Sequence, residues 1–268
     1  MTLFHRKFGN GPAMIILHGL YGSSDNWYSV AKILGEKYEV FVPDQRNHGQ
    51  SSHSDEFSYD LLAEDLKNFM DEQSIEKAII VGHSMGGKAA MNFALKYPEK
   101  INALIIVDIS PRNYREHRNF NMLAGHHRDI LNAMTEMDLA SLKSREEAEK
   151  IMFKKFPDER LTNFLLKNLK RTREGNFYWA LNIDSISKNM EEILSGFSEE
   201  EIKSKTGITG FPVLFMKGEL SSYLNKEDFE FIEKIFPATH LETIKDAGHW
   251  MHAEQQDAFI KAILDFTM

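Results

Sequence analysis

Gly82-His83-Ser84-Met85-Gly86 follows directly on the apolar run Lys77-Ala-Ile-Ile-Val81. It leads at once into a helical pattern, Ala89, Ala90, Phe93, Ala94 and Tyr97, which Pro98 stops. This strand–turn–helix setting says more than the G-x-S-x-G pattern alone. A serine held on so sharp a turn has a strained backbone, and small residues two positions to either side relieve the crowding. The turn lifts the Ser84 hydroxyl out at the carboxyl end of a sheet, where open α/β folds bind their ligands. The partial positive charge of a helix N-terminus lies beneath it. The expectation is a serine nucleophile. The other use of a glycine-rich turn, a phosphate loop, lacks its pattern here, because Lys88 lies past the turn on the helix.

The same alternation recurs along the chain. Ala13-Met-Ile-Ile-Leu17, Glu39-Val-Phe-Val42, Leu104-Ile-Ile-Val107 and Pro212-Val-Leu-Phe-Met216 read as buried strands, and Leu241-Glu-Thr-Ile244 alternates like one. Helical faces fall between them: Trp27, Val30, Ala31 and Leu34; then Leu62, Leu66, Phe69 and Met70 with Ser58 as N-cap. Later come Phe229, Ile232 and Phe236, and last Phe259, Ala262, Ile263 and Phe266. Strands alternating with helices predict an α/β fold with a doubly wound, mostly parallel sheet covered on both faces. Residues 111–210 break the rhythm, with helical stretches and no convincing strand. A detour of that length between two core strands is read as an insertion. The expected division is a core of 1–110 and 211–268 and a helical cap of 111–210.

Composition bounds the partners. The 268 residues carry 32 basic and 40 acidic side chains, a net charge of −8, which gives no general attraction for nucleic acid or for an anionic membrane. No apolar run approaches the roughly 20 residues that span a bilayer. The N-terminal residues lack the apolar stretch of a signal peptide. There are no cysteines, which removes disulfides, thiolate metal sites and cysteine nucleophiles and leaves a cytoplasmic location as the expectation.

A serine at its ordinary pKa needs a base. His249, in Asp246-Ala-Gly-His249-Trp250, lies just after the last predicted strand, in a loop that returns to the carboxyl edge of the sheet. It is read as that base, in the chain order serine, acid, histidine. His252 is read as a cap or surface residue, and His126 and His127 as solvated. An oxyanion hole needs two backbone N–H donors. Met85, after the nucleophile, is one. Leu20, in His18-Gly19-Leu20-Tyr21-Gly22 after the first buried strand, is the other. His18 is expected to shape that loop rather than to react. No clustered histidine and carboxylate pattern calls for a metal, and no cofactor is expected.

With these residues in place the chain resembles an α/β-hydrolase over essentially its whole length. His18-Gly19, the serine turn and Gly248-His249 fall in that family's order, and Asp44-Gln45-Arg46-Asn47-His48-Gly49-Gln50-Ser51 resembles its loop after the second buried strand. The Arg-Asn-His-Gly run, Gly82-His-Ser-Met-Gly-Gly-Lys88 and Val107-Asp-Ile-Ser-Pro111 together look like the YbfF-type esterases and their ABHD11-like relatives, small serine esterases and thioester hydrolases. The third catalytic residue departs from the commonest family pattern. Where the family usually has Asp, three residues after the glycine of Lys217-Gly218-Glu219-Leu220-Ser221, this chain has Ser221. The resembling esterases place the acid one strand earlier, which implies Asp108. Glu219 and Asp246 stay open as alternatives.

The resemblance implies a small-molecule acyl ester or thioester as substrate. It leaves a cofactor-free perhydrolase or haloperoxidase on the same residues, or a non-enzymatic small-molecule receptor, as other readings. Dehalogenase and epoxide hydrolase chemistry on this fold needs Asp where Ser84 stands. The insertion is expected to roof the site, with Phe120, Met122, Leu123, Met134, Phe177, Tyr178 and Trp179 available to line an acyl tunnel. A closed roof predicts short- to medium-chain substrates.

Overall fold

The computed structural model describes residues 1–114, 120–197 and 207–268. Seven strands form one sheet in the order β1-β3-β2-β4-β5-β8-β9. They are β1 (His5–Phe8), β2 (Ala13–Leu17), β3 (Glu39–Pro43), β4 (Ala78–His83), β5 (Ile101–Val107), β8 (Val213–Gly218) and β9 (Thr239–Ile244). Only β1 runs antiparallel, against β3; the other pairings are parallel. The expected doubly wound sheet is therefore present. β1 was not anticipated: His-Arg-Lys-Phe has no apolar run, because an edge strand keeps its charges in solvent, where Lys7 pairs with Glu39.

The apolar runs read as strands because both faces of the sheet are covered. Ile15, Leu17, Ile80, Leu104 and Ile106 enter the core on one face. Met14, Ile16, Val81, Ile105 and Val107 enter the core on the other. α2 (Tyr59–Glu72) begins where Ser58 accepts a hydrogen bond from the Leu61 N–H, the N-cap expected of it. α1 (Tyr28–Leu34) and α3 (Met85–Lys96) complete the early alternation.

Between β5 and β8 the described residues form α4 (Phe120–Thr135), α5 (Arg145–Lys155), α6 (Glu159–Leu166), α7 (Ile183–Lys188) and α8 (Met190–Ile193). None of them continues the main sheet. The expectation of no strand there is corrected: β6 (Leu169–Arg171) and β7 (Phe177–Trp179) form a small antiparallel hairpin. Three residues each are too few to show a period in sequence.

Parallel register brings three carboxyl ends side by side. His83 of β4 pairs with Val107 of β5, and Val107 pairs with Met216 of β8. The Ser84 N–H donates to the Val107 carbonyl at 3.1 Å, and the Asp108 N–H donates to the Met216 carbonyl at 2.8 Å. The residues just past these strands are thus fixed next to one another by the sheet itself.

Candidate active site

Ser84 sits between β4 and α3 with φ 54° and ψ −119°. A non-glycine residue pays for that region of backbone space with strain of about 1–3 kcal/mol. Its glycine neighbours make the turn possible. A Cβ on Gly82 would lie 2.4 Å from the Gly86 carbonyl oxygen, and one on Gly86 would lie 2.4 Å from the Leu17 carbonyl oxygen. The turn, its neighbouring strand and the helix can pack this closely only without side chains at those two positions.

Asp108, directly after β5, is fully buried and also has a left-handed backbone, φ 51°. Its Oδ1 accepts from the Gly218 N–H at 3.1 Å. Its Oδ2 accepts from the Ser221 hydroxyl and from His249 Nδ1 at 2.8 Å. The carboxylate is buried with three donors, the condition under which a buried charge is tolerated. Ser221, at the position where an acid was looked for, is a donor to the acid next door. Glu219 and Asp246 lie elsewhere: both are exposed, and Glu219 accepts from the Asp246 N–H at 3.0 Å. Loss of the Ser221 hydroxyl, in Ser221→Ala, is expected to cost about 2 kcal/mol of stability and to lower turnover less than Asp108→Asn does. Urea midpoints and kcat for the two variants check this.

His249 presents its Nδ1 to Asp108, which leaves Nε2 as the ring nitrogen available to a proton from Ser84. Tyr223 stacks on the imidazole, with ring centroids 3.9 Å apart and an interplanar angle of 21°. Ser84 and His249 line one cavity of about 480 Å³, and Ser84 Oγ has no hydrogen-bond partner among the described residues. Catalytic hydrogen bonds of this kind often tighten only when substrate binds. Leu20 and Met85 line the same cavity. Among the described residues, the turns that hold them give neither N–H a backbone acceptor.

The histidines around this site divide by role. The Gln45 N–H donates to His18 Nε2 at 2.9 Å, so Nδ1 carries the proton and donates to the Gly19 carbonyl at 2.8 Å. His18 therefore shapes its loop, as expected. His48 does the same for the next loop, between the Tyr21 N–H and the Arg46 carbonyl. Two expectations are corrected. His252 is not at the surface: it is buried, stacked on Trp27 at 4.2 Å, and lines the cavity. His127 is not solvated, since it hydrogen-bonds the Tyr21 hydroxyl at 3.2 Å and lines the cavity beside the exposed His126. A third missed residue, His83, donates from Nε2 to the His249 carbonyl at 2.8 Å and lies against Gly19.

Burial holds these rings neutral. It draws His18 down to about 4 and His127 to about 4, and His48 and His252 to about 3. Each folded value lies below the unfolded value of about 6.5. The unfolded chain therefore binds more protons through that interval. The stability these rings contribute is complete above about pH 6.5 and is lost progressively as pH falls toward their folded values of about 4 and about 3. The thermal midpoint is expected to drop by several degrees between pH 7.5 and pH 5. An unchanged midpoint contradicts this account of the buried histidines.

The residues expected to line an acyl tunnel mostly do not. Leu123 does. Met122 and Tyr178 are exposed, and Met134 is buried in the core with its carbonyl accepting from the Trp179 indole at 2.9 Å. Phe177 packs on the same core. The side chain of Phe120 lies outside the described residues. Instead, Tyr114, Ile130, Phe156, Leu161 and Leu194 supply much of the apolar wall. A helical period marks which face of a helix is apolar, without distinguishing the packed core from a cavity wall.

The chain matches the α/β hydrolase fold family over residues 12–256. It is 37% identical over 264 residues to the sn-1-specific diacylglycerol lipase ABHD11 of Danio rerio, covering 96% of this chain and 79% of that protein. It is 32% identical to the esterase YbfF of Escherichia coli, covering 95% and 92% of the two chains. Among solved structures, a marine microorganism esterase superposes with a TM-score of 0.90 at 43% identity, covering 98% of each chain.

Proposed function

The chain belongs to the α/β-hydrolase fold family, and from that we propose that it is a serine hydrolase of carboxylic esters or thioesters, working through an acyl-enzyme. The observation that carries the reading is the Asp108–His249 hydrogen bond at 2.8 Å, beside a cavity that Ser84 enters from a strained turn. Esterase and lipase names among the similar proteins support it. His249 takes the proton of Ser84 as the hydroxyl attacks the acyl carbon. The N–H groups of Leu20 and Met85 receive the developing oxyanion. His249, oriented by Asp108, then protonates the leaving alcohol or thiol, and water repeats the sequence on the acyl-enzyme.

Residues 111–210 act as a cap over the site, and the cysteine-free composition supports a cytoplasmic setting. Among the described residues no helix is long and apolar enough to cross a membrane. A cavity of about 480 Å³ falls in the size range of small-molecule sites. Short- to medium-chain acyl esters are therefore the expected substrates. The test is kcat/KM across acyl esters of two to sixteen carbons, with and without emulsified triglyceride. The expected result is a maximum at short to medium length and no jump at the lipid–water interface. A rate rising steadily to the longest chains, or such a jump, contradicts the proposed roof.

A further inference from the structure

Given the hydrolase reading above, we propose that Lys88 binds a free carboxylate on the acyl part of the substrate, so that the preferred ester or thioester is a half-ester of a dicarboxylic acid. The placement follows from the helix. The Lys88 N–H donates to the Ser84 carbonyl at 3.1 Å, so the lysine stands one turn into α3, below the proposed nucleophile. Helical side chains lean toward the N-terminus, which carries the lysine stem back along the helix toward Ser84. Lys88 is only 3% exposed, and it lines the same cavity as Ser84 and His249.

What surrounds the amine is incomplete. Nζ donates to the Ser195 carbonyl and lies 4.4 Å from the Tyr114 ring centroid and 5.8 Å from that of Tyr59. Both rings present faces that favour a cation. No carboxylate forms an ion pair with Lys88 among the described residues. The other charged side chains lining the cavity are already engaged: Lys155 pairs with Glu136, and Asp158 caps α6. Among the described residues Glu192 acts on the amine electrostatically without forming an ion pair, and the Ser195 carbonyl is its hydrogen-bond acceptor, so Lys88 has donor capacity left for an anion.

A buried amine is costly unless paired. A methionine of similar length would fill the space with none of that cost, and one carbonyl contact does not need a charge. Burial draws the amine well below its ordinary range, and Glu192 offsets this only in part. A carboxylate arriving beside it restores the cation and completes a charge-assisted hydrogen bond in a low-dielectric pocket. The acyl carbon at Ser84 and an anionic group at Lys88 would then be the two ends of one short chain.

The experiment compares kcat/KM for the ethyl half-esters of C4 to C8 dicarboxylic acids with the matching diethyl esters and with ethyl alkanoates of equal length. The wild type, Lys88→Met and Lys88→Gln are each measured, with ethanol release as the readout. Fluorophosphonate labelling and thermal midpoints are followed in parallel. The expected result is a preference of about tenfold or more for at least one half-ester over its alkanoate in the wild type. Diethyl esters should behave like the alkanoates, and both variants should bring the ratio to one or below. A wild-type ratio at or below one, diethyl esters that match the half-esters, or a ratio unmoved in folded variants overturns the assignment. Should both variants unfold, the wild-type ratios decide. Labelling without a half-ester preference removes only the role of Lys88, whereas a wild type that is never labelled removes the hydrolase reading and this assignment together.

Discussion

Asp108→Asn is expected to lower kcat by about four orders of magnitude, while Glu219→Gln stays within a fewfold of the wild type. The asparagine keeps the shape but can offer its amide N–H to the imidazole, which favours the wrong tautomer and withdraws the charge that stabilises an imidazolium. The neighbours are tuned to a carboxylate: Gly218 N–H, the Ser221 hydroxyl and His249 Nδ1 all donate to it. An asparagine keeps one acceptor oxygen and places two hydrogens where donors already point. Stability should fall as well, so the kinetic comparison is made below the melting transition. A crippled Glu219→Gln beside a near-normal Asp108→Asn would transfer the role to the exposed loop.

Ser84→Ala is expected to remove nearly all ester turnover, a loss of about 10⁶ in kcat on the scale of serine hydrolases whose nucleophile is deleted. The fold should be unaffected. Alanine at φ 54° carries the same backbone strain as serine, and among the described residues the lost hydroxyl has no hydrogen-bond partner to leave unsatisfied. The thermal midpoint therefore stays at the wild-type value. Turnover of a 4-nitrophenyl ester above a trace, at an unchanged midpoint, contradicts the role of Ser84.

The elements that were legible in the sequence are those fixed by local rules. Glycines two positions either side of Ser84, an apolar run before it and a helical period after it each state a steric requirement within a few residues. The placement of His249 follows from the last strand and the glycine before it. Asp108 was harder, because its meeting with His249 depends on which strands are neighbours, and only the family resemblance pointed one strand earlier than usual. Ser221 was visible as a missing acid, and the structure supplies its function as a donor to Asp108.

The remaining features were hidden because they arise from tertiary packing. Nothing near His252 in sequence announces that Trp27 stacks on it. The bond from His127 to Tyr21 spans more than a hundred residues. Tyr223 stacks on His249 across two loops, and Lys88 looks like any helical lysine until the tyrosines and the Ser195 carbonyl close around it. The edge strand His5–Phe8 and the short hairpin of β6 and β7 escape for a different reason, since each is too short or too polar to carry a period.

Whether Ser84 is the nucleophile of an acyl-transfer site is decided by intact-mass analysis after exposure to a fluorophosphonate probe. The expected result is one adduct per chain, mapped by peptide sequencing to Ser84, formed in step with loss of ester turnover and absent from Ser84→Ala. An adduct on a different residue, or full ester turnover in protein that resists labelling, would contradict it.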